Sequence, residues 1–158
     1  MAQQWLLPLT IVAITVVAME IVAAAVHRHV MHGPGWNWHR SHHEPADGWF
    51  ERNDLYALVF AAISLTLFVA GARWPALWWV GLGLVVYGLL YAIVHDGLVH
   101  RRFRFVKPPK SGYLKRLVQA HRLHHAVRER DGAVSFGFLY APRLDSLLDR
   151  LRAHRSAP

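Results

Sequence analysis

The chain has 158 residues, of which 54% are hydrophobic and 18% are charged, and it contains no cysteine. This length fits one domain that covers 1–158. Without cysteine the protein has no disulfide, no thiolate metal site and no iron–sulfur cluster. The formal net charge of +8 is combined with long uncharged stretches. That combination is typical of an integral membrane protein and argues against a nucleic-acid-binding domain.

Three apolar stretches, 5–26, 55–72 and 75–94, carry a single acid, Glu20, and no base. The first stretch is long enough to cross a hydrocarbon core of roughly 30 Å. It lacks the basic start and the short apolar centre of a secretory signal. We therefore predict an all-α integral membrane protein with three, or at most four, transmembrane helices, and we expect the last of the three stretches to continue as a helix beyond the membrane.

The distribution of basic residues predicts the orientation of these helices. The loop between the second and third stretches holds only Arg73, whereas 27–54 holds three arginines and 101–130 holds ten lysines or arginines. Basic residues that flank membrane spans stay on the cytosolic side. The N-terminus is therefore predicted to lie outside, and 27–54 and 95–158 on the cytosolic side of the inner membrane.

Two of the predicted cytosolic segments have amphipathic helical patterns. In 111–127, apolar residues and histidines share one stripe at helical offsets, so the histidines would extend a buried face and need partners there. The C-terminal leucines predict a second amphipathic helix, which we expect at the surface or the lipid interface and outside the site. The stripe of the first helix consists of Leu114, Leu117, Val118, His121, His124 and His125.

Ten of the 12 histidines repeat one arrangement, with HRHVMH and HRSHH in the first half and HDGLVH and HRLHH in the second. The spacing His-x2-His-His places three imidazoles on one helical face. The spacing His-x4-His places two rings roughly 140° apart on a regular helix, so each such pair serves either two ions or one ion at a distorted helix end. The doubled ligand sets predict a two-metal site at the cytosolic edge. His29 and His154 fall outside the shared spacing, and we expect ordinary hydrogen-bonding roles for them.

The residue types narrow the metal without deciding it. Imidazole ligands suit iron, zinc, copper or nickel. Asp96 lies four residues before His100 and is predicted to accept a hydrogen bond from a ring N–H. Glu20 lies seven residues before His27, inside the first apolar stretch, where an acid is a functional candidate. Glu20 either makes helix-packing hydrogen bonds or takes part in the chemistry, and the sequence leaves both roles open.

Four longer strings carry a resemblance: VHRHVMHGPGWNWHRSHHEP, VHDGLVHRRF, AHRLHHAV and VSFGFLYAP. They resemble the membrane-bound, histidine-rich di-iron enzymes of the fatty acid hydroxylase and sterol desaturase superfamily. Within that superfamily they are most similar to the bacterial β-carotene hydroxylases. The resemblance covers roughly 20–142, which is most of the chain.

This resemblance implies two non-haem irons, dioxygen as co-substrate, and electrons from reduced ferredoxin or a similar acidic donor. It implies hydroxylation at carbon 3 of the β-ionone rings of β-carotene to give zeaxanthin, and it leaves open whether ketolated rings are accepted to give astaxanthin. It implies no catalytic side chain beyond the metal ligands. The implied ligands are His27, His32, His39, His42, His43, His95, His100, His121, His124 and His125.

Other interpretations remain open at the level of sequence. A membrane hydroxylase or desaturase acting on fatty acyl chains, sterols or alkanes would share these spacings. A non-enzymatic, histidine-rich metal-binding membrane protein would also keep the ligands, whereas a di-haem cytochrome would place them within the spans. An unactivated C–H bond requires an oxygen-activating redox metal, because no side chain in this chain can break it, and this favours iron over zinc.

Two kinds of partner follow from the same composition. A substrate from the bilayer would enter between apolar walls, and the basic 101–130 region would contact anionic lipid headgroups or steer an acidic electron donor. The candidate wall residues are Met31, Trp36, Trp38, Phe136, Phe138 and Tyr140.

Overall fold

The computed structural model describes residues 2–44, 48–103 and 106–156, which form an all-helical protein. Two of the helices continue into π-helical segments, in which each N–H bonds to the carbonyl five residues earlier. The α-helices are α1 (Ala2–Val26), α2 (Trp36–His43), α3 (Asp54–Ala70), α4 (Pro75–Tyr91), α5 (Gly112–His124) and α6 (Leu144–Ser156). The π-helical segments are π1 (His27–Met31), which follows α1, and π2 (Ala92–Val99), which follows α4.

The three apolar helices form one layer, in which α1 and α3 both pack against α4. α1 and α4 run parallel, because Trp5 meets Trp79 near their N-terminal ends and Glu20 meets Tyr87 nearer their C-terminal ends. α3 runs in the opposite direction, since a short turn joins it to α4. The C-terminal ends of α1 and α4 and the N-terminal end of α3 therefore lie at the same end of the layer, which is where the histidine motifs begin.

Small residues allow this close packing. A Cβ atom on Gly83 would lie 2.5 Å from the Cβ of Thr15 in α1, and one on Gly81 would lie 3.1 Å from the carbonyl oxygen of Ser64 in α3. The Ser64 hydroxyl also donates a hydrogen bond to the Gly81 carbonyl at 2.9 Å. α4 thus presents small residues to both neighbours, and the three helix ends come close enough to contribute to one site.

The outer surfaces of this layer are apolar and exposed. Gln3–Met31 and Pro75–Val99 are long and apolar enough to cross a membrane, and only 11% and 22% of their apolar windows are buried. A core helix of a soluble protein would be buried over most of its apolar surface. α3 is equally apolar but has 17 residues, or about 26 Å of helix. The apolar helices therefore begin and end within a few residues of the stretches predicted from sequence.

α5 and α6 pack together next to this layer and enclose a second core. The predicted stripe of α5 is buried at Leu117, Val118, His121 and His124, whereas Leu114 in the first turn is 45% exposed. α6 is less superficial than the sequence suggested: its Leu147 and Leu151 are buried in the same core as α5. This packing holds α5 firmly beneath the ends of the apolar helices.

The apolar segment 133–141 has no regular secondary structure and folds back against the layer. Val134 is buried in the core next to α5, and Phe138 is buried against Met19, Ala23 and Tyr87 of α1 and α4. The segment is too short to span a bilayer. It closes the histidine-rich end of the molecule instead.

Candidate metal centre

The two His-x4-His pairs lie at the two π-helical segments. The backbone N–H of His32 donates to the carbonyl of His27 at 3.0 Å, and that of His100 donates to His95 at 2.9 Å. An i→i+5 pattern places residue i+5 over residue i, as the α pattern does for i+4. The ring centroids are consequently only 5.3 Å apart in the first pair and 4.5 Å apart in the second. Of the two alternatives left open by the spacing, the structure therefore supports ligation by both rings at a distorted helix.

The ten motif histidines separate into two clusters of five, defined by the approach of their Nε2 atoms. Cluster 1 consists of His27, His32, His39, His43 and His124. Cluster 2 consists of His42, His95, His100, His121 and His125.

The composition of the clusters explains why the motifs occur twice in the sequence. Each cluster takes the His-x4-His pair from one half of the chain and the i, i+4 pair from the His-x2-His-His motif of the same half. The fifth member crosses over, since His124 of the second half completes cluster 1 and His42 of the first half completes cluster 2. Each half of the chain thus contributes one histidine to the cluster of the other half. Neither half supplies all five ligands of a cluster.

Within each cluster the Nε2 atoms converge. In cluster 1 the Nε2–Nε2 separation is 3.0 Å between His27 and His39, and 3.2 Å between His43 and each of His39 and His124. The cluster 2 separations are 3.0 Å for His42 with His95, 3.3 Å for His100 with His121, and 2.9 Å for His121 with His125.

The opposite ring nitrogens of cluster 1 all have neutral acceptors. The Nδ1–H groups of four rings donate to backbone carbonyls of the segment between α5 and α6, and that of His39 donates to the side-chain oxygen of Asn53 at 2.7 Å. A carbonyl oxygen can only accept, so each Nδ1 carries the proton and each Nε2 presents a lone pair. The carbonyl pairs are His27 with Phe136 at 2.9 Å, His32 with Arg130 at 2.6 Å, His43 with Val127 at 2.9 Å and His124 with Val134 at 3.0 Å.

Burial keeps the histidine rings of both clusters neutral. Burial lowers the pKa of His39 to about 3 and that of His43 to about 4, and it lowers the pKa of His100 to about 4. The pKa of His124 is also well below its usual value, first because of burial and then because of the neighbouring His27 and His43. Neutral imidazoles are the form that binds metal ions.

The donor set fits a transition metal ion in each cluster. Lone pairs that face each other at 3.0 Å, as those of His27 and His39 do, repel unless a cation lies between them. Two nitrogens at about 2.1 Å from one ion and about 90° apart would be separated by about 3.0 Å. The observed separations match that spacing, and all-nitrogen sites suit iron, zinc, copper and nickel.

Comparison with known proteins identifies the group to which this site belongs. The family described as "Fatty acid hydroxylase" matches residues 12–150 of the chain. This chain belongs to the fatty acid hydroxylase family. The match confirms the resemblance that the four histidine-containing and neighbouring strings indicated.

Several curated relatives of this chain are named as carotene hydroxylases. It is 56% identical over 155 residues to "Beta-carotene hydroxylase" of Pantoea ananas, covering 97% of this chain and 88% of that protein. It is 58% identical over 144 residues to "Beta-carotene hydroxylase" of Paracoccus sp. (strain PC1), covering 90% and 89%. It is 39% identical over 132 residues to "Beta-carotene 3-hydroxylase 1, chloroplastic" of Arabidopsis thaliana, covering 80% of this chain and 42% of that longer protein. No solved structure gives a significant match.

In this member of the family, cluster 2 differs from cluster 1 in its hydrogen-bond acceptors. The Nδ1 of His42 lies 2.9 Å from a carboxylate oxygen of Glu51, and that of His95 lies 2.7 Å from Asp96. A carboxylate acceptor makes an imidazole ligand more basic than a carbonyl does. Asp96 therefore accepts the hydrogen bond of His95, its neighbour in sequence, and not that of His100.

An arginine ties these acids together. The Arg102 guanidinium lies 2.9 Å from Glu51, 2.9 Å from Asp54 and 3.9 Å from Asp96. All of these side chains are less than one quarter exposed. Arg102 thus holds the acids of α3, π2 and the segment before α3 in one network behind cluster 2.

An apolar cavity of about 340 Å³ lies between α1, α3 and α4, and a layer of side chains separates it from the histidine clusters. Its walls touch the centre at three places: Phe138 stacks on the ring of His27, Tyr91 stacks on His95, and Asn53 bonds to His39. Its lining includes Met19, Met31, Tyr56, Phe60, Tyr91 and Phe138. A small-molecule pocket typically has roughly 300–1,000 Å³, so this cavity accommodates one end of a long lipid and not all of it.

The candidate wall residues divide into three groups. Met31 and Phe138 line the cavity, as predicted. Trp36 and Phe136 pack directly on histidine rings of cluster 1. Tyr140, which is 63% exposed, does not line this cavity. Trp38, which is 41% exposed and packs against Tyr56, does not line it either.

The remaining predictions concern residues outside the clusters. His29 is exposed on the far side of π1, and His154 lies on α6 against Gly132, so both stand apart from the clusters. Glu20 lies away from the histidine nitrogens and makes hydrogen bonds to the 133–141 segment and to Tyr87. Of its two predicted roles, the contacts support the packing role.

Several functional contacts had no signal in the sequence. Glu51 and Asn53 lie in an irregular segment between α2 and α3, where no periodicity relates them to His42 and His39. Arg102 is one of many bases in its region. The carbonyl acceptors of cluster 1 are backbone groups, so no side-chain pattern could identify them.

Proposed function

We propose that this protein is a β-carotene 3-hydroxylase, which inserts an oxygen atom at carbon 3 of each β-ionone ring and converts β-carotene to zeaxanthin. The observation that carries this proposal is an apolar cavity whose wall residues Phe138, Tyr91 and Asn53 contact two clusters of five neutral imidazoles. The names of relatives that are 56% and 58% identical over nearly the whole chain support the substrate.

The metal ligands in this proposal are the ten histidines of clusters 1 and 2, and each cluster holds one iron ion. When bound, the two irons would reduce dioxygen and supply the oxidant that an unactivated ring C–H bond requires. One oxygen atom enters the C–H bond, the other leaves as water, and the reaction consumes two electrons and two protons. Zinc would fit the nitrogen donors but is redox-inert, so it cannot support this reaction.

The protein itself orients the ligands and the substrate and excludes water from the site. The Nδ1 hydrogen bonds fix the five rings of cluster 1, and those of His42 and His95 in cluster 2, with Nε2 directed into the cluster, so these ligands are positioned before any metal arrives. Met31 and Phe138 form the inner wall of the cavity and hold the ring of the substrate beside the histidines. The apolar lining excludes water from the reacting carbon.

The membrane supplies the substrate in this proposal. α1, α3 and α4 span the inner membrane, with the N-terminus outside and both clusters at the cytosolic edge, and the 1–158 chain acts as one domain. α3 is short for a span, and the exposed apolar side chains on its outer face support its contact with lipid. A carotene would enter the cavity laterally, with one ring at the clusters and the polyene in the bilayer. Its second ring would react after release and re-entry.

The electron donor is proposed to dock on the exposed bases around α5. This surface carries positive charge close to cluster 2 and would attract an acidic donor such as ferredoxin, or anionic lipid headgroups. Reversing one charge, as in Arg122→Glu, should raise the KM for ferredoxin and reduce the salt dependence of turnover. The exposed bases are Lys107, Lys110, Lys115, Arg122, Arg128 and Arg130.

Expression in a bacterium that accumulates β-carotene, followed by pigment chromatography, tests the proposed activity. Conversion to zeaxanthin through the singly hydroxylated intermediate is expected. Unchanged carotene together with hydroxylated or desaturated lipids would replace this proposal with a fatty acyl hydroxylase or desaturase of the same family. Unchanged carotene and lipids, with metal bound, would favour a metal-binding protein without this activity.

A cavity-filling variant tests where the substrate binds. Gly88 lines the cavity, and a Cβ atom there would meet nothing within 4 Å, so Gly88→Leu should fill the cavity without displacing a helix. We expect this variant to retain iron and to lose carotene hydroxylation. Leu90→Phe, which enlarges a side chain on the exposed side of α4 outside the cavity, is the control and should remain active.

A further inference from the structure

Glu20 makes four hydrogen bonds that no part of the proposed chemistry requires. One carboxylate oxygen accepts the backbone N–H groups of Phe138, Leu139 and Tyr140 at 2.9, 3.0 and 2.9 Å. The other oxygen accepts the hydroxyl of Tyr87 at 2.8 Å. Three consecutive N–H groups directed at one oxygen form an anion-binding nest. An acid in the middle of an apolar helix is costly unless it has such partners.

The nest belongs to the segment that orients cluster 1. Its Val134 and Phe136 carbonyls accept the Nδ1–H groups of His124 and His27. Two residues further on, the ring of Phe138 lies parallel to that of His27, with the centroids 5.1 Å apart. The segment has no regular secondary structure of its own. Its position beside the histidines therefore depends on its contacts with other parts of the protein.

The backbone of this segment is shaped for the contact with Glu20. A Cβ atom on Gly137 would lie 2.6 Å from the Glu20 oxygen and 2.8 Å from the Tyr140 carbonyl, so a larger residue would push the segment away. Ser135 has a φ of 61°, a conformation that costs energy for a residue other than glycine. These features indicate that the segment is held in place by external contacts.

We propose that Glu20 is a positioning residue for cluster 1: it fastens the 134–140 segment to α1 and thereby sets the orientation of His27 and His124. The proposal rests on the proposed function only in that the clusters bind metal. It is selective, because the known acceptors of cluster 2, Glu51 and Asp96, lie on other elements. Loss of Glu20 should therefore weaken one metal site and spare the other.

Two variants of similar size separate the hydrogen bonds from the volume of the side chain. Glu20→Gln keeps an oxygen that can accept the three N–H groups, whereas Glu20→Leu removes it and remains suited to an apolar helix. With purified, iron-reconstituted protein under increasing chelator, we expect Glu20→Leu to lose one of two ions about 10- to 100-fold more readily than the wild type. Glu20→Gln should stay close to the wild type. Tyr87→Phe, which leaves the three N–H bonds intact, should also keep both ions.

Combined variants show which ion is lost. Adding His124→Ala to Glu20→Leu should remove no further iron, because both act on cluster 1. Adding His100→Ala to Glu20→Leu should remove the second ion, because His100 belongs to cluster 2. Equal weakening of both ions in Glu20→Leu, or retention of both, would overturn the proposal.

Amide hydrogen exchange tests the contact in the wild-type protein, whether or not the variants fold. The amides of Phe138, Leu139 and Tyr140 should be protected even though the side chain of Tyr140 is exposed. Their exchange should become roughly 2- to 10-fold faster in Glu20→Leu, because each N–H group loses its hydrogen-bond acceptor. Unprotected amides in the wild type would contradict the proposed anchor. A protein that binds two irons and shows this protection but leaves carotene unchanged would refute the proposed function alone.

Discussion

Clusters 1 and 2 have the same ligand inventory but different surroundings. Each contains an i, i+5 pair at a π-helix, an i, i+4 pair on a short helix and one histidine from the other half of the chain. Cluster 1 is surrounded by neutral acceptors, mostly carbonyls of an irregular segment. Cluster 2 is backed by the carboxylates of Glu51 and Asp96, with Arg102 behind them.

This difference has a direct chemical consequence. A carboxylate that accepts from Nδ1 increases the electron density of the imidazole and so favours a more highly charged ion at Nε2. Cluster 2 should therefore hold its ion more tightly and stabilise the oxidised state. Cluster 1 should exchange its ion more readily and have the higher reduction potential. The two copies of the ligand motif therefore differ in the charge of their hydrogen-bond acceptors.

The largest effects are expected from removing the crossover ligands. His124→Ala and His42→Ala should each lower hydroxylation by more than about 100-fold, beyond the loss typical of an outer-shell change, since each removes a direct ligand. Carotene conversion by membranes containing each variant measures this. His29→Ala and His154→Ala are matched controls outside the clusters and should convert carotene normally. Equal activity in His124→Ala and the controls would remove His124 from the site.

Exchanging the acceptors tests the difference between the clusters. Glu51→Gln makes one acceptor of cluster 2 neutral, and Asn53→Asp gives cluster 1 a carboxylate, with almost no change in shape. We expect Glu51→Gln to release its iron about 10- to 100-fold more readily and Asn53→Asp to retain its iron more tightly. Stepwise chelation and redox titration of iron-loaded protein measure both. Identical release curves for the wild type and both variants would show that acceptor charge does not distinguish the clusters.

A smaller effect is expected from the arginine behind cluster 2. Arg102→Gln leaves three nearby carboxylates without their common counter-charge, which should lower the free energy of unfolding by about 1–3 kcal/mol. Arg152→Gln breaks an exposed pair with Asp149 and should cost less than about 1 kcal/mol. Denaturant titration in detergent compares the two. A loss in Arg152→Gln as large as that in Arg102→Gln would argue against a special role for the buried network.

Much of the fold followed from patterns that the sequence makes visible. Apolar length and charge distribution located α1, α3 and α4, and the helical stripe of α5 predicted that His121 and His124 would be buried. The i, i+5 spacing predicted either two ions or a distorted helix end, because a regular helix would separate those rings, and it did not choose between the two. These features depend on local periodicity, which a single sequence contains.

The remainder depends on contacts between distant segments. His124 and His125 are adjacent in sequence but belong to different clusters, and only the tertiary arrangement of α5 relative to the other histidine-bearing segments decides which cluster each ring joins. The carbonyl acceptors of cluster 1 have no side-chain signature. Glu20 bonds to amides more than a hundred residues away, so its sequence context could suggest two roles but not choose between them.

The crossed assembly of the clusters is the central claim, and the iron content of two double variants tests it most directly. His27→Ala with His124→Ala removes two ligands that are far apart in sequence but belong to cluster 1. His121→Ala with His124→Ala removes two ligands that lie one helical turn apart but belong to different clusters. Iron per chain is measured at a chelator concentration at which each single variant has lost one ion. We predict that the first double variant keeps one ion and the second keeps none; the opposite pattern, or equal iron in both, would contradict the crossed assembly.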